Sequence, residues 1–441
     1  MILFRDVFSQ ATLSVLWLTL GYSLLALFIS WILSFVFLFF SRTWILSIFK
    51  FLWVLPGFAY ALITLTSLRF AGVEHRYSMA SVCIAWVIAG VPYLTLATHS
   101  AKADLDSRLK EAVQSLGASP LRAFYEFEIR NTWLAQGNAL LQQLWLYLTS
   151  FSLVMILSGG FPNETLEVGI FTSVRLDRVD FTHALALGIW QMLILIPLRL
   201  ALSRVRSRSQ GAEWAAQLNV QSKKSVTSPT FGCFVSGLLV LFAFIFAASR
   251  RLDMSGLIES FATTLTLSII VSCLTLIWVV AVYRFKLPGL AEIGAWISPM
   301  LLTLLWWKGF AFSLLPYVNA VVVQVILFSP WMSRILYPLL SRARHQELEA
   351  ARSLGCNLTA AWIQVEWPRL RSSFYFSLSL VLALSCTEVT AVLLFSQNDF
   401  LPLSVWVQNA FLRFQLDEAW VGTLILVSIS YFFLSLKREQ T

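Results

Sequence analysis

Eleven apolar runs, most of them as long as a bilayer core is thick, leave this chain few ways to fold. No water reaches the hydrocarbon layer, so a spanning segment must satisfy its own backbone N–H and C=O groups, and a helix does so within one segment. The runs fall at about 13–40, 51–70, 78–99, 135–158, 182–202, 231–248, 260–283, 289–307, 310–338, 372–395 and 417–436. Only 12% of residues are charged and 58% are hydrophobic, whereas a soluble chain carries about 25% charge. The expectation is an all-α polytopic membrane protein with about 11 transmembrane helices (10 to 12). The first ten residues, MILFRDVFSQ, lack a basic segment and a small-residue cleavage site, so no cleaved signal peptide is expected.

One polar stretch occurs twice between these runs. At 110–130 it reads KEAVQSLGASPLRAFYEFEIR, and at 348–368 it reads LEAARSLGCNLTAAWIQVEWP. Glu111 matches Glu349, Ala112 matches Ala350, Gly117 matches Gly355, and Phe124 matches Trp362, each 238 residues apart. Pro92-Tyr93 and Pro330-Trp331 share the same offset. An internal repeat of this length makes the chain two homologous halves. Each copy reads as helix, glycine, second helix. Leu105, Leu109, Ala112 and Leu116 share one helical face, while Asp104, Arg108, Glu111 and Ser115 share the other. Gly117 and Gly355 suit the left-handed conformation that ends a helix, and Ser119 and Asn357 then suit an N-cap. An amphipathic surface loop is the bland reading of one copy; two copies in equivalent places weaken it.

Charge orients the chain. Lys102, Arg108, Lys110, Arg122 and Arg130 surround the first copy, and Arg342, Arg344, Arg352, Arg369 and Arg371 the second. By the positive-inside rule both copies face the cytoplasm, together with a basic linker at 203–230 and the Lys437-Arg438 tail. The net charge of +9 is thereby explained without nucleic acid. The halves are then parallel: 1–202 with five spans and a loop at about 102–130, and 231–441 with six spans and a loop at about 340–371. The first half is expected to lack the counterpart of the sixth span. Parallel halves argue against the secondary transporters built from inverted repeats.

The E-A-A-x-x-x-G pattern, with an aromatic and a Leu-Pro-like end downstream, resembles the cytoplasmic loop of ABC importer permeases. The resemblance implies that Glu111, Ala112, Gly117 and Phe124, and Glu349, Ala350, Gly355 and Trp362, couple the chain to two copies of a cytoplasmic ATPase subunit by helix-in-groove docking. It also implies an external substrate-binding protein, a place in the inner (plasma) membrane among lipid, and a path that opens alternately to either side. The chain has no G-x-x-x-x-G-K-[ST] run, so ATP and Mg would belong to the partner, and this chain is expected to be neither an enzyme nor a holder of cofactors. Copy one departs from the pattern at Val113 and at Arg130, where copy two keeps Pro368.

Other residues carry weaker signals. Ser158-Gly159-Gly160 followed by Thr165-Leu166-Glu167-Val168 is similar to fused permeases of thiamine importers and, after them, ferric-iron importers; a glycine turn followed by an interfacial helix explains it equally. Glu388 falls within the tenth run, where a carboxylate costs roughly 2.5–3.5 kcal/mol, so it reads as a pathway residue or as a buried helix–helix bond. The acidic residues Glu164, Glu167, Asp177, Asp180, Asp399 and Asp417 suit a cationic cargo, a binding-protein rim, or plain solvated loops. The five cysteines form no C-x-x-C pair and the four histidines are scattered, so no metal site is expected. Pro56, Pro92, Pro299, Pro316 and Pro330 are expected to kink spans. A channel or secondary transporter remains the alternative and predicts transport without an ATPase.

Overall fold

The computed structural model describes residues 6–40, 43–53, 55–73, 76–103, 124–160, 163–175, 180–208, 229–250, 254–310, 315–341, 367–397 and 400–435, with single positions of the two repeated loops. Contacts divide the chain into two compact units, Met1–Ser225 and Val226–Thr441. Among the described residues, seven helices are long and apolar enough to cross a membrane. The protein is an all-helical, polytopic membrane protein.

The first unit runs α1 (Gln10–Phe39), α2 (Thr43–Trp53), α3 (Gly57–Phe70), α4 (Met79–Ala103), a π-helix (Phe124–Ile129), α5 (Trp133–Leu148), α6 (Ser152–Leu157), α7 (Leu166–Arg175) and α8 (Phe181–Arg208). The second unit runs α9 (Pro229–Ser249), α10 (Met254–Arg284), α11 (Pro288–Ala291) with a 3-10 turn (Ile293–Ala295), α12 (Pro299–Phe310), α13 (Pro316–Ser341), α14 (Trp367–Thr387), α15 (Thr390–Leu393), α16 (Leu403–Leu412) and α17 (Leu416–Ser435). The packing repeats with the order. Helix α1 packs on α4, α5 and α7; α10 packs on α13, α14 and α16. Helix α8 lies on α5 and α7 as α17 lies on α14 and α16. Helix α9, against α17, has no counterpart among the described helices of the first unit.

Each unit is built around a stripe of small polar residues on one long helix, α1 in the first unit and α10 in the second. On α1 these are Thr12, Thr19, Ser23, Ser30 and Ser34; on α10 they are Ser260, Thr264, Ser268, Ser272 and Thr275, all buried. Small side chains let helix backbones approach where lipid offers no hydrophobic gain. Most of the hydroxyls satisfy themselves on the preceding turn: Thr19 on the Val15 carbonyl at 2.7 Å, Ser30 on Ala26 at 2.7 Å, and Thr275 on Val271 at 2.7 Å. The opposite face of α1 shows Trp17, Leu24 and Phe28 to the outside, as a lipid-facing surface should.

Four of the expected spans are not continuous. The runs at 51–70, 135–158, 289–307 and 372–395 are each interrupted, at 55–56, 149–151, 292–298 and 388–389. The α2–α3 pair is bent by 116°. Three of the prolines expected to kink spans stand at helix starts, Pro56 at the 116° bend itself. Pro56 is the N-cap of α3, and Pro299 and Pro316 open α12 and α13, where the missing N–H costs nothing. Pro92 and Pro330 lie inside α4 and α13 as expected.

A polar lock fixes the centre of the first unit. Tyr147 of α5 donates to the Trp86 carbonyl at 2.6 Å, stacks on the Trp86 ring at 5.2 Å, and lies 3.1 Å from Ser30 Oγ. Gly90 leaves the space it needs, since a Cβ there would sit 2.0 Å from Tyr147 Oη and 2.8 Å from Ser30 Oγ. We expect Gly90→Ala to destabilise the protein by about 1–3 kcal/mol through overpacking. Gly21→Ala, where nothing lies within 4 Å, should be neutral. Thermal unfolding of the purified protein in detergent checks both, and equal midpoints for the two variants would remove the lock.

Candidate functional site

Two buried ten-residue helices, α7 and α16, sit at equivalent places in the repeat, and their N-termini are held alike. The Leu166 N–H donates to Thr19 Oγ1 at 3.0 Å, and the Leu403 N–H donates to Thr264 Oγ1 at 2.6 Å. Each threonine comes from the small-residue stripe, on α1 in the first unit and on α10 in the second. Helix starts leave N–H groups without internal partners, and inside an apolar layer a side chain must take water's place.

The same short helices also tie down the broken spans. In the second unit α14 ends at Thr387, and the next carbonyl, that of Glu388, accepts from Ser404 Oγ at 2.8 Å. In the first unit α5 ends at Leu148, whose carbonyl accepts from Gln191 Nε2 at 3.4 Å, and Gln191 Nε2 also donates to Glu167 Oε2. Glu167 and Ser404 are each the second residue of their short helix. The repeat therefore extends to a three-way junction of striped helix, broken span and short helix, answered by a carboxylate–amide pair in one unit and a hydroxyl in the other.

Glu388 sits in the break between α14 and α15, half-buried, and its Oε1 accepts the Ala391 N–H at 3.3 Å. The carboxylate caps the short helix α15, which accounts for an acid at this depth. Asp180 likewise caps α8: its Oδ1 accepts from Thr182 Oγ1 at 2.6 Å and from the His183 N–H at 3.0 Å. Those bonds, the Thr182 hydroxyl foremost, hold its carboxyl below the usual carboxylate range. Asp417 pairs with Arg250 across 3.8 Å, both side chains about half exposed. Asp177 and Asp399 lie outside the described residues. Among the described residues no three His, Cys, Asp or Glu side chains gather as a metal site.

Of the residues expected to couple to an ATPase, Glu111, Ala112, Glu349, Ala350, Gly355 and Trp362 lie outside the described residues. Gly117 has φ +87°, the left-handed conformation read from the sequence. Ser119 Oγ accepts the Arg122 N–H at 3.3 Å, as an N-cap does. Phe124 turns inward: it is buried, edge-on to Phe39 at 5.4 Å. Its side chain anchors the loop to α1. Phe124 opens the π-helix, a rare conformation often found at functional positions. Tyr125 is 61% exposed beside it. Arg130, standing where copy two has Pro368, pairs with Glu126 at 3.1 Å on the surface, worth roughly 0.3–0.5 kcal/mol at this helical spacing.

The sequence did not reveal the Thr19 and Thr264 braces. Their signal is a hydroxyl at helical spacing within an apolar run, which also describes an ordinary packing stripe. Helix α16 was missed for the same reason: its residues read as apolar loop between the tenth and eleventh runs.

Glu164, outside the spanning helices, is buried with its Oε2 accepting from Thr172 Oγ1 at 2.9 Å. Burial raises its carboxyl above the usual range, opposed by the Thr172 hydroxyl and by His183. A carboxyl whose pKa is raised by folding binds its proton more tightly in the fold. Its contribution to stability is present below the unfolded value and lost as pH rises through the folded one. Glu164→Gln should therefore raise the unfolding midpoint at neutral pH and leave it unchanged below about pH 4, the range where an ordinary Glu is protonated. A pH series of thermal unfolding decides it; a midpoint that falls at neutral pH would show that the ionised form is needed.

Similarity to known proteins covers part of the chain. A probable sulfate transport system permease protein, cysT, of Nephroselmis olivacea is 23% identical over 145 residues, which are 33% of this chain and 51% of that protein. The sulfate transport system permease protein CysT of Synechococcus elongatus is 25% identical over 117 residues, 26% of this chain and 42% of that protein. A probable cysT of Chlorokybus atmophyticus is 23% identical over 141 residues, 32% of this chain and 49% of that protein. The chain spans about half the length of the relatives it matches. No family profile and no solved structure matches it. Its apolar helices and these relatives make it a multi-pass protein of the plasma membrane, similar over about a third of its length to sulfate transport permeases.

Proposed function

We propose that the chain is the permease of an ATP-driven, binding-protein-dependent ABC importer, with both halves in one polypeptide. The observation that carries this reading is the loop repeated at a constant offset of 238 residues between apolar helices, with Glu111-Ala112 and Gly117 matched by Glu349-Ala350 and Gly355. Similarity to transport permeases in three organisms supports it. Two copies of a cytoplasmic ATPase supply the nucleotide chemistry, and their closure moves the two loops. The helices then respond by rigid-body switching between arrangements open to either side. An external binding protein delivers the solute.

For the cargo, a small solute, with sulfate foremost, fits better than thiamine or ferric iron. The relatives' names point to sulfate. The run that resembles thiamine permeases, Thr165-Leu166-Glu167-Val168, is wholly buried. Leu166 and Glu167 are used to brace α7, so these residues answer to packing rather than to a solute. The acidic residues proposed for a cationic cargo are largely spent on helix caps and internal bonds, namely Glu164, Glu167, Asp180 and Glu388. Uptake by vesicles that hold ATP and the ATPase subunit inside, with the binding protein outside, distinguishes the cargoes. Sulfate uptake supports this reading, thiamine or ferric-iron uptake replaces the cargo, and uptake without the ATPase restores the secondary transporter.

Gly117→Pro combined with Glu349→Lys should release the ATPase while the protein still inserts. Proline cannot adopt the φ of +87° found at Gly117, and the lysine reverses charge in the second loop. Co-purification with the ATPase checks this; undiminished retention would remove the two loops from the interface.

A further inference from the structure

We propose that Arg334 and Glu292 form a latch inside the second unit that makes the loop-bearing helix α13 and the interrupted span α11–α12 move as one body. The inference rests on the ABC-importer reading and names residues that transmit the loop's motion. Arg334 lies seven residues before the end of α13, which leads directly into the second repeated loop. Its guanidinium donates to Glu292 Oε2 at 3.2 Å, with the Arg334 side chain 9% and the Glu292 side chain 31% exposed. Ser333 Oγ donates to Glu292 Oε1 at 3.1 Å, so both carboxylate oxygens are engaged. The guanidinium also lies 5.8 Å over the Trp331 ring, and its Nε is buried without a partner.

The pair closes a seam that starts one turn earlier. Ser329 Oγ donates to the Ala291 carbonyl at 2.9 Å. Pro330 has no N–H to give to the Ile326 carbonyl, and the 3-10 turn packs on that carbonyl: a Cβ at Gly294 would sit 2.1 Å from Ile326 O. Four consecutive contacts thus stitch residues 291–294 to residues 326–334. Arg334 lies in the spanning helix α13 and its side chain is 9% exposed, so opening the pair leaves its charge poorly solvated and the pair holds firmly.

The first half lacks both charges of the seam at the equivalent positions and keeps one of its two hydroxyls. At the 238-residue offset Leu96 stands for Arg334, Thr95 for Ser333, Val91 for Ser329 and Val54 for Glu292. Proline is kept, as Pro92 for Pro330. The two charges of the seam are thus specific to the second half at these positions. A displacement of the second loop that pulls α13 carries α12 with it through the seam, whereas the first half has no such ionic tie.

The test uses the full chain with its ATPase and binding protein in vesicles, measuring ATP hydrolysis and solute uptake together. The double variant Arg334→Met/Glu292→Gln removes the pair without stranding a charge. It should keep hydrolysis within about twofold of the parent and lower uptake per ATP about tenfold. Exchanging the charges, Arg334→Glu/Glu292→Arg, should recover at least half of that ratio. Leu96→Met in the first half is the control and should leave the ratio unchanged. An unchanged ratio in the double variant, or hydrolysis and uptake falling together, overturns the latch and assigns the pair to folding. If the parent chain neither retains the ATPase nor stimulates its hydrolysis, the importer reading itself is lost and the latch's role in transport with it.

Discussion

The structure depends on one constraint: inside an apolar layer every backbone polar group must find a partner in the protein. A continuous helix meets it for nothing, and a broken one does not. This chain breaks four of its spans, and the described breaks are answered by named side chains. Thr19 and Thr264 take the first N–H of α7 and α16. Gln191 and Ser404 take carbonyls left at the ends of α5 and α14, and Glu388 takes an N–H of α15. Polar residues that look misplaced in a hydrophobic sequence are the ones that allow the fold to depart from straight helices.

The two halves meet the same demands with different chemistry. Tyr147 in the first unit is answered by Ser385 in the second, at the 238-residue offset, and Trp86 by Gln324. The aromatic stack with its hydroxyl bond becomes a serine hydroxyl donating to Gln324 Oε1 at 2.7 Å. Its neighbour Cys386 donates to Ser268 Oγ at 3.2 Å, on the stripe of α10. What repeats is the position of a polar tie between helices, rather than the residue that makes it. Such ties specify register more than they add stability, since membrane-embedded hydrogen bonds contribute only about 0.6–2 kcal/mol each.

Much of this was legible in the sequence. Apolar length located the seven helices that are long and apolar enough to span among the described residues, against about eleven expected, because burial in lipid selects composition directly. The repeat and its glycine were legible because Gly117 must adopt a conformation that few other residues tolerate. The interruptions were not legible. A hydropathy run cannot distinguish a straight helix from a broken one when the break is made of Thr149, Ser150 and Phe151, and proline misled where Pro299 and Pro316 open helices instead of bending them. Glu388 and Asp180 drew attention as charges, yet the structure uses them as caps. Local bonding decides such roles, and the sequence does not display it.

Helix α9, which has no counterpart among the described helices of the first unit, shows how composition follows a helix's neighbours. In the second unit α9 packs along α17 and is tied at one end by Arg250 and Asp417. There Leu426 and Ser430 are 0% and 3% exposed. The equivalent positions of α8, with Asp180 aligned to Asp417, are Ile189 and Leu193, which are 38% and 57% exposed. A serine permits close approach of another helix; a leucine in its place gives a surface suited to lipid tails. The first half holds this side of α8 only near its start, where Phe8 packs edge-on to Trp190 and the Trp190 Nε1 donates to the Val7 carbonyl at 2.8 Å. Serine thus stands where α9 covers the helix face, and leucine where that face is exposed among the described residues of the first half.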